Sequence, residues 1–597
     1  MNPPLLPDLN YDGNIDNADL VLYLAGRWFR FWTNEDTAKG DYVGQSDNVE
    51  PNASDLVVNG AYDLLNFFPL AADFSALRSA WGNNVTCRLE PESGDSGALN
   101  FLWANVGKSG YRRMQTETVR DLGGNALSEA SLTALPSGGC EIPGSVLGAL
   151  SGTDGMLVAE AVSNLATLRF VVRDGDDEIF SCGVPLSIYT VRDMYRWLNI
   201  RYAAGGAGGV QSRLGEPWNR PDEECDGRHF VFVHGYNVNP AAARQWADAI
   251  FKRLWWSGSR SMFTAVDWFG DDSQFATLAH GDVSPDYYAN VMHAFASAPA
   301  LASQVAALPG TNTVLLAHSL GNMLVSSAIK DHGLSGYSKY YMLNAAVPME
   351  AYDEDAFTSN MVDSAWSNVP ITYRASDWSS LFETNDFRAS LSWCGRFAGI
   401  QNAVNCYSET EDVLASPTLH GLGGAWAKQE LFKGTTVWHA LNAVPFLGLN
   451  VACEGGWGIN ATYAVNPYYY VPACGFFANA MSNFTREEAI ESPLFTPFKT
   501  ETAAMHSTNL YTIADADYRR SLRAKFLGDA IPATSFAMGA NAANGLEEHY
   551  DMQAAVQDNA WPSGRVVNDE RKWFHSDIKN VAYFYLHQIF NRIKRGH

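Results

Sequence analysis

Ala317-His318-Ser319-Leu320-Gly321 lies between an apolar run, Thr313-Val314-Leu315-Leu316, and a stretch of helical character, Asn322 to Ile329. Strand, sharp turn and helix together present a serine hydroxyl as a nucleophile. A serine at such a turn adopts a strained backbone that crowds the positions two before and two after it, so small side chains are required there. Ala317 and Gly321 meet that requirement, alanine being a mild departure from the usual G-x-S-x-G. The chemistry such a turn serves is acyl transfer.

Acyl transfer builds negative charge on a carbonyl oxygen, which preorganised backbone N–H groups must face. His229-Phe230-Val231-Phe232-Val233 reads as a buried strand, and it ends in His234-Gly235-Tyr236-Asn237, a turn of the kind where glycine supplies backbone freedom. The hydroxyl also needs an imidazole to take its proton, and the imidazole needs a carboxylate to fix its tautomer. Beyond Ser319, the run Asn402 to Tyr407 leads into Ser408-Glu409-Thr410-Glu411-Asp412, which puts carboxylates on a loop after a strand. Asp412 is the preferred acid; Glu409 and Glu411 share its loop, and Glu350 and Asp353 follow the preceding strand. Plain capping or a solvated acidic turn accounts equally for an Asp before Val-Leu. His575 lies just before an amphipathic stretch, Val581 to Phe590, that reads as the terminal helix. His420, His439, His506, His549 and His587 lack that position.

Together these residues resemble the lipase and esterase branch of the α/β-hydrolase superfamily, over residues 225–415 and again 565–597. The resemblance implies a mostly parallel sheet and a triad in the chain order Ser, acid, His: Ser319, Asp412 and His575. It further implies oxyanion donors from the residue after the nucleophile, Leu320, and from the His-Gly loop, Tyr236 with Asn237. His318 beside the serine recurs in lipase-like elbows as a packing neighbour. These motifs are common to esterases, lipases, thioesterases, amidases and acyltransferases, so they fix a mechanism more firmly than a substrate. The expected activity is cleavage of carboxyl esters with a bulky apolar or aromatic acyl portion. Two other readings stay open: an acyltransferase, and a calcium-stabilised extracellular binding or adhesion protein whose hydrolase fold has lost its chemistry.

The elements that must position these groups follow from periodicity. Arg244 to Trp255 reads as a helix, Ser261 to Trp268 as a strand, Tyr287 to Leu308 as a helix and Tyr340 to Asn344 as a strand, an alternation that predicts an α/β fold. Residues 225–597 form the expected catalytic domain, with insertions over 348–399 and 415–565. The longer one is rich in aromatics, among them Trp457, Tyr468, Phe476 and Phe484, and suits either a cap over the serine or an ordinary satellite core. Residues 49–190 read as a small β-rich accessory module, with strand character at Cys87 to Leu89 and Leu165 to Val172. Residues 191–224 read as a helix, from Ile188 to Tyr202, followed by a linker at Ala203 to Gly209.

Residues 1–48 hold a separate signal. Asp8, Asn10, Asp12, Asp16 and Asp19 place oxygen side chains at positions one, three, five, nine and twelve of a loop with Gly13 at six, and Asn14 offers its carbonyl at seven. That is calcium-loop spacing. It resembles the EF-hand-like loops of dockerin modules, which also end in aspartate, although only one such loop is present. A structural Ca²⁺ is therefore expected, with no cofactor for catalysis. A weaker oxygen-rich patch runs from Asn34 to Asp41.

Composition bounds the rest. With 597 residues, 47% of them hydrophobic, the chain can bury a large core. Its 41 basic against 65 acidic residues, a net charge of −24, repel phosphate backbones, so nucleic acid is not an expected partner. No apolar run is long enough to span a bilayer and no charged-then-apolar leader opens the chain. The eight cysteines form no C-x-x-C pair and suit either disulfides or buried thiols. An exported, extracytoplasmic protein is the expectation, because calcium loops work where calcium is plentiful.

Overall fold

In a computed structural model, the described residues are 3–33, 65–82, 84–92, 99–104, 133–135, 139–149, 155–161, 163–236, 238–271, 273–276, 283–285, 287–347, 351–352, 385–390, 395–408, 546, 548–556, 566–567, 570–571, 573, 575–580 and 583–596. The chain is of the α/β class, and its N-terminal part is built of strands.

The first ten strands are β1 (Leu5–Pro7), β2 (Phe29–Trp32), β3 (Phe67–Ala72), β4 (Thr86–Pro91), β5 (Leu99–Ala104), β6 (Thr133–Leu135), β7 (Cys140–Glu141), β8 (Gly155–Ala161), β9 (Leu165–Asp174) and β10 (Asp177–Tyr189). Helices α1 (Asn17–Leu24), α2 (Ser75–Trp81) and α3 (Gly144–Ala149) interrupt them. They form two five-stranded sheets, one ordered β1-β3-β8-β5-β6 and the other β2-β10-β9-β4-β7. The segment expected as a separate unit over 1–48 is therefore part of this module. Its β1 pairs antiparallel with β3 in one sheet and its β2 pairs parallel with β10 in the other, so the loop between them bridges the two sheets.

The main sheet begins earlier than the sequence suggested. Ile188 to Tyr202 is not a helix: it holds the end of β10, a short 3₁₀ turn at Val191–Met194 and strand β11 (Arg196–Asn199), which pairs parallel with β13 (Met262–Asp267). Apolar residues at Val191, Met194, Tyr195 and Leu198 mimic helical spacing because a 3₁₀ turn runs directly into a strand. Nor is the glycine tract a free spacer. A Cβ on Gly206 would lie 2.5 Å from the Phe269 ring and one on Gly209 2.6 Å from the Asn199 side chain, so both glycines are packed against the sheet edge.

The remaining elements are β12 (Arg228–Val233), α4 (Pro240–Trp256), the hairpin β14 (Ser273–Ala276) and β15 (Val283–Pro285), α5 (Tyr287–Ala306), β16 (Asn312–His318), α6 (Gly321–His332), β17 (Tyr337–Leu343), β18 (Ala403–Tyr407), β19 (Glu548–Asp551), α7 (Met552–Ala555), the hairpin β20 (Val566–Val567) and β21 (Glu570–Arg571), α8 (Asp577–Asn580) and α9 (Tyr583–Arg595). Seven strands, all parallel, run in the order β11-β13-β12-β16-β17-β18-β19. The expected insertion over 415–565 therefore ends sooner, since Glu548 already re-enters the sheet beside Val404. Its period-2 signal is only four residues long, too short to stand out in sequence.

β12 is an interior strand and is buried from His229 to Val233, as a parallel strand covered on both faces must be. Helix α4 packs with α8 and α9, and α5 packs with α6. Right-handed crossovers put these two layers on opposite faces of the sheet. Asn239 caps α4 through the Ala242 amide (2.9 Å), with Pro240 in the first turn, where its missing N–H costs nothing.

Unusually for a helix lying on a sheet, α4 is buried nearly all round, including Arg244, Asp248, Lys252 and Arg253. Its outer face is covered by the N-terminal module. Trp255 meets the rings of Phe31 (5.0 Å), Trp32 (5.2 Å) and Tyr11 (6.1 Å). Lys252 Nζ donates to Asn66 (2.9 Å) and Trp256 Nε1 to the Leu65 carbonyl (2.9 Å). One continuous apolar core thus joins both sheets of the module to the main sheet.

Candidate active site

The sheet changes direction at its centre. From β12 the chain moves to one side, to β13, whereas from β16 it moves to the other, to β17. The loops leaving the carboxyl ends of these two neighbouring strands diverge and open a crevice, the place where parallel sheets of this kind bind ligands. The β12 loop carries His234, Gly235 and Tyr236, and the β16 loop carries Ser319.

Ser319 has φ +53°, a left-handed conformation that a serine adopts only when its surroundings enforce it. The enforcement is visible. Its amide donates to the Leu343 carbonyl (3.0 Å), its carbonyl accepts from Ala346 (3.2 Å), and Asn322 Nδ2 spans the carbonyls of Ala317 (3.1 Å) and Ser319 (2.9 Å). Tyr340 Oη donates in turn to Asn322 Oδ1 (2.8 Å). The small residues required by the turn are packed as expected. A Cβ on Gly321 would collide with the His234 carbonyl oxygen, and one on Gly235 would come within 2.7 Å of Ser319 Cβ. Gly235 therefore passes directly over the serine.

The His-Gly loop is held from outside. Trp268 Nε1 donates to the His234 carbonyl (2.8 Å), and the Trp268 amide donates to His234 Nε2 (3.3 Å), whose ring is stacked on the indole. Tyr236, half-buried, follows Gly235 into the crevice mouth, while Asn237 lies outside the described residues. The Leu320 amide opens α6, and no acceptor among the described residues takes it. A helix amino terminus adds partial positive charge where an oxyanion would form.

His575 is in the turn between Trp573 and α8. It comes to the elbow from the far end of the chain: its ring stands 4.7 Å from that of His318, and its carbonyl lies 2.8 Å from His318 Nε2. Trp573 anchors this turn, its Nε1 donating to Asn344 Oδ1 (3.0 Å) at the end of β17. Asn344 itself has φ +40°, and its amide donates to the Cys406 carbonyl (3.0 Å). Neither Trp573 nor Asn344 was singled out from sequence. The only signal was an asparagine just past a strand, a residue type that tolerates left-handed backbone.

None of the carboxylates expected as the acid is among the described residues. Asp412, Glu409, Glu411, Glu350 and Asp353 all lie outside them, as do His420, His439 and His506 and the aromatic segment from Trp457 to Phe484. The chain leaving β18 is described as far as Ser408, which is buried and donates to Gln553 Oε1 (3.3 Å). His549 and His587 are on β19 and α9 instead of on a crevice loop.

The N-terminal loop has its own geometry. Asp8 accepts from the amides of Asp12 (3.2 Å) and Gly13 (2.8 Å), and Asp19 accepts from Leu9 (2.7 Å), Asn10 (3.1 Å) and Asp16 (2.8 Å). Gly13 has φ +97°, which the sharp turn at the sixth loop position demands. Ile15 is buried in the core, and Asp16 caps α1 through the Ala18 amide (2.7 Å). Asp8 and Asp19 are fully buried, and desolvation, helped by the nearby Asp12 charge, raises the Asp19 carboxyl above its ordinary value despite three backbone donors. Among the described residues no three His, Cys, Asp or Glu side chains are grouped as a ready-made metal site. The patch from Asn34 to Asp41 lies outside the described residues.

Cys87, Cys140, Cys182, Cys225 and Cys406 are free thiols, so a disulfide framework does not hold this part of the fold together. Burial raises the Cys182 thiol to about 11 and the Cys406 thiol to about 12, so both stay protonated and inert. No helix among the described residues is long and apolar enough to cross a membrane. Compared with known proteins, the chain matches no protein-family model, no curated protein and no solved structure.

Proposed function

We propose that this chain is a serine hydrolase of α/β-hydrolase type that cleaves carboxyl esters through an acyl-enzyme. The observation that carries the reading is Ser319 at φ +53° on a strand-to-helix turn, with Gly235 over it and the His575 turn beside it. Strained backbone of this kind is retained where function depends on it. In the proposed reaction Ser319 Oγ attacks the ester carbonyl and His575 takes its proton. The Tyr236 and Leu320 amides hold the oxyanion while the tetrahedral intermediate forms. His575 then gives the proton to the departing alkoxide, leaving an acyl-serine. Water, deprotonated by His575, attacks that acyl group and releases the acid and the free hydroxyl. Asp412, on the loop that follows β18, is the proposed carboxylate partner of His575.

The N-terminal loop is proposed as a structural calcium site, with side-chain oxygens from Asp8, Asn10, Asp12, Asp16 and Asp19 and the Asn14 carbonyl. Two desolvated carboxylates beside a third acidic residue favour a bound cation. An apolar or aromatic ester is the proposed substrate and export the proposed location. A fluorophosphonate probe tests the chemistry. It should label the wild-type chain and spare Ser319→Ala; labelling of neither protein favours a binding role, and equal labelling of both moves the nucleophile elsewhere.

A further inference from the structure

Building on the hydrolase reading above, we propose that His318 is a positioning residue whose Nε2–H holds the His575 backbone carbonyl and thereby sets where the general base stands against Ser319. The contact is a hydrogen bond of 2.8 Å between residues on β16 and on the turn before α8. Its acceptor is a carbonyl oxygen, so Nε2 must carry the proton and Nδ1 must be the bare nitrogen. Nδ1 lies under Gly235, where a Cβ would approach it to 3.0 Å, and it is buried with no hydrogen-bond partner among the described residues. The buried ring thus makes one directed bond, and that bond points at the loop of the general base.

The ring is clamped as well as bonded. Trp246 of α4 lies 4.4 Å from it, and the His575 ring stands 4.7 Å away. Trp246 is itself covered by the Lys579 ammonium, 5.1 Å from the indole centre, on the helix that follows His575. Burial, and then the neighbouring His575, push the His318 pKa well below its ordinary value, so the ring stays neutral. Neutrality matters here, because a second cation beside His575 would oppose the charge that His575 acquires when it takes the serine proton. The side chain next to the nucleophile therefore ties the last loop of the chain to the elbow across 257 residues. With the Trp573–Asn344 bond on the other side of the turn, this tie helps to fix where His575 stands against Ser319, and a displacement of about 1 Å costs on the order of a hundredfold in rate.

Two substitutions separate positioning from bulk. His318→Phe keeps a ring against Trp246 and removes the donor; His318→Gln keeps an N–H donor at similar reach. The Phe variant should lose about a hundredfold in kcat with KM within about threefold, and its Ser319 should react with a fluorophosphonate slower by the same factor. The Gln variant should stay within about tenfold of wild type in both readouts. Equal losses in the two variants, or wild-type kcat in the Phe variant, overturn the proposal. Should the Phe variant not fold by its melting curve, His318→Met takes its place in the same comparison. Failure of the hydrolase reading looks different: the wild-type chain is then not labelled, or Ser319→Ala is labelled as fast as wild type.

Discussion

Around Asp8 and Asp19, five backbone amides from Leu9 to Asp16 turn inward onto two buried carboxylates; around Ser319 the backbone is bent to φ +53° and held there by Leu343, Ala346 and Asn322. The loop satisfies its polar groups with neighbours in sequence. The crevice draws its partners from β12, β16, β17 and the turn before α8. Buried carboxylates wrapped in amides suit a fixed structural ion. A strained serine backbone at the opening of a helix, with no acceptor among the described residues for the Leu320 amide, suits chemistry, because such a donor can meet charge that appears only during reaction. The two regions are nonetheless one body, since Tyr11 of the loop packs on Trp255 at one end of α4 and Trp246 of the same helix packs on His318.

The largest expected effect is at the crevice. Ser319→Ala should lower kcat by about a million-fold, with the melting curve little changed. Substantial residual turnover would break the contrast between a reactive crevice and a structural loop. Asp412→Asn should lower turnover by about four orders of magnitude through loss of the correct His575 tautomer; near-normal activity transfers the role to Glu409, Glu411, Glu350 or Asp353. Trp255→Ala probes whether loop and crevice share one core. It should destabilise by about 3–5 kcal/mol and keep a single unfolding transition, whereas two separate transitions in calorimetry would show independent domains.

Gly235→Ala should cut kcat by about a hundredfold, because the added methyl presses on Ser319 Cβ and moves the loop that carries the proposed donor Tyr236. Unchanged kinetics would mean that this loop does not touch the reacting atoms. The effect that spares the rate belongs to the loop. Chelation of calcium from protein held at about a hundredfold over its dissociation constant should remove about 3 kcal/mol of stability. Turnover below the melting range should be preserved, and an unchanged melting curve would remove the ion.

How much was legible in sequence follows the same division. Asp8 to Asp19 could be read because every ligand-type residue and the turning Gly13 lie within one short stretch, and backbone geometry at that range is set by residue type. Strands His229 to Val233 and Thr313 to Leu316, and helix Arg244 to Trp255, announced themselves by long apolar runs or by period. β11 and β19 did not, because strands of four residues carry almost no periodic signal, and parallel pairing with a distant partner identifies them instead. Composition reads the glycine tract as a spacer because it records the absence of side chains and not what fills their place.

The elbow, its small flanking residues, the calcium-type spacing and the alternation of strand and helix can be read along the chain, since each depends on contacts a few residues apart. It takes the folded chain to make β12 and β16 neighbours where the sheet reverses, to lay the N-terminal module over α4 and to bring the His575 turn against His318. Those pairings join residues hundreds of positions apart, and they are fixed by which buried faces complete one core, a property of the folded whole that no local pattern encodes.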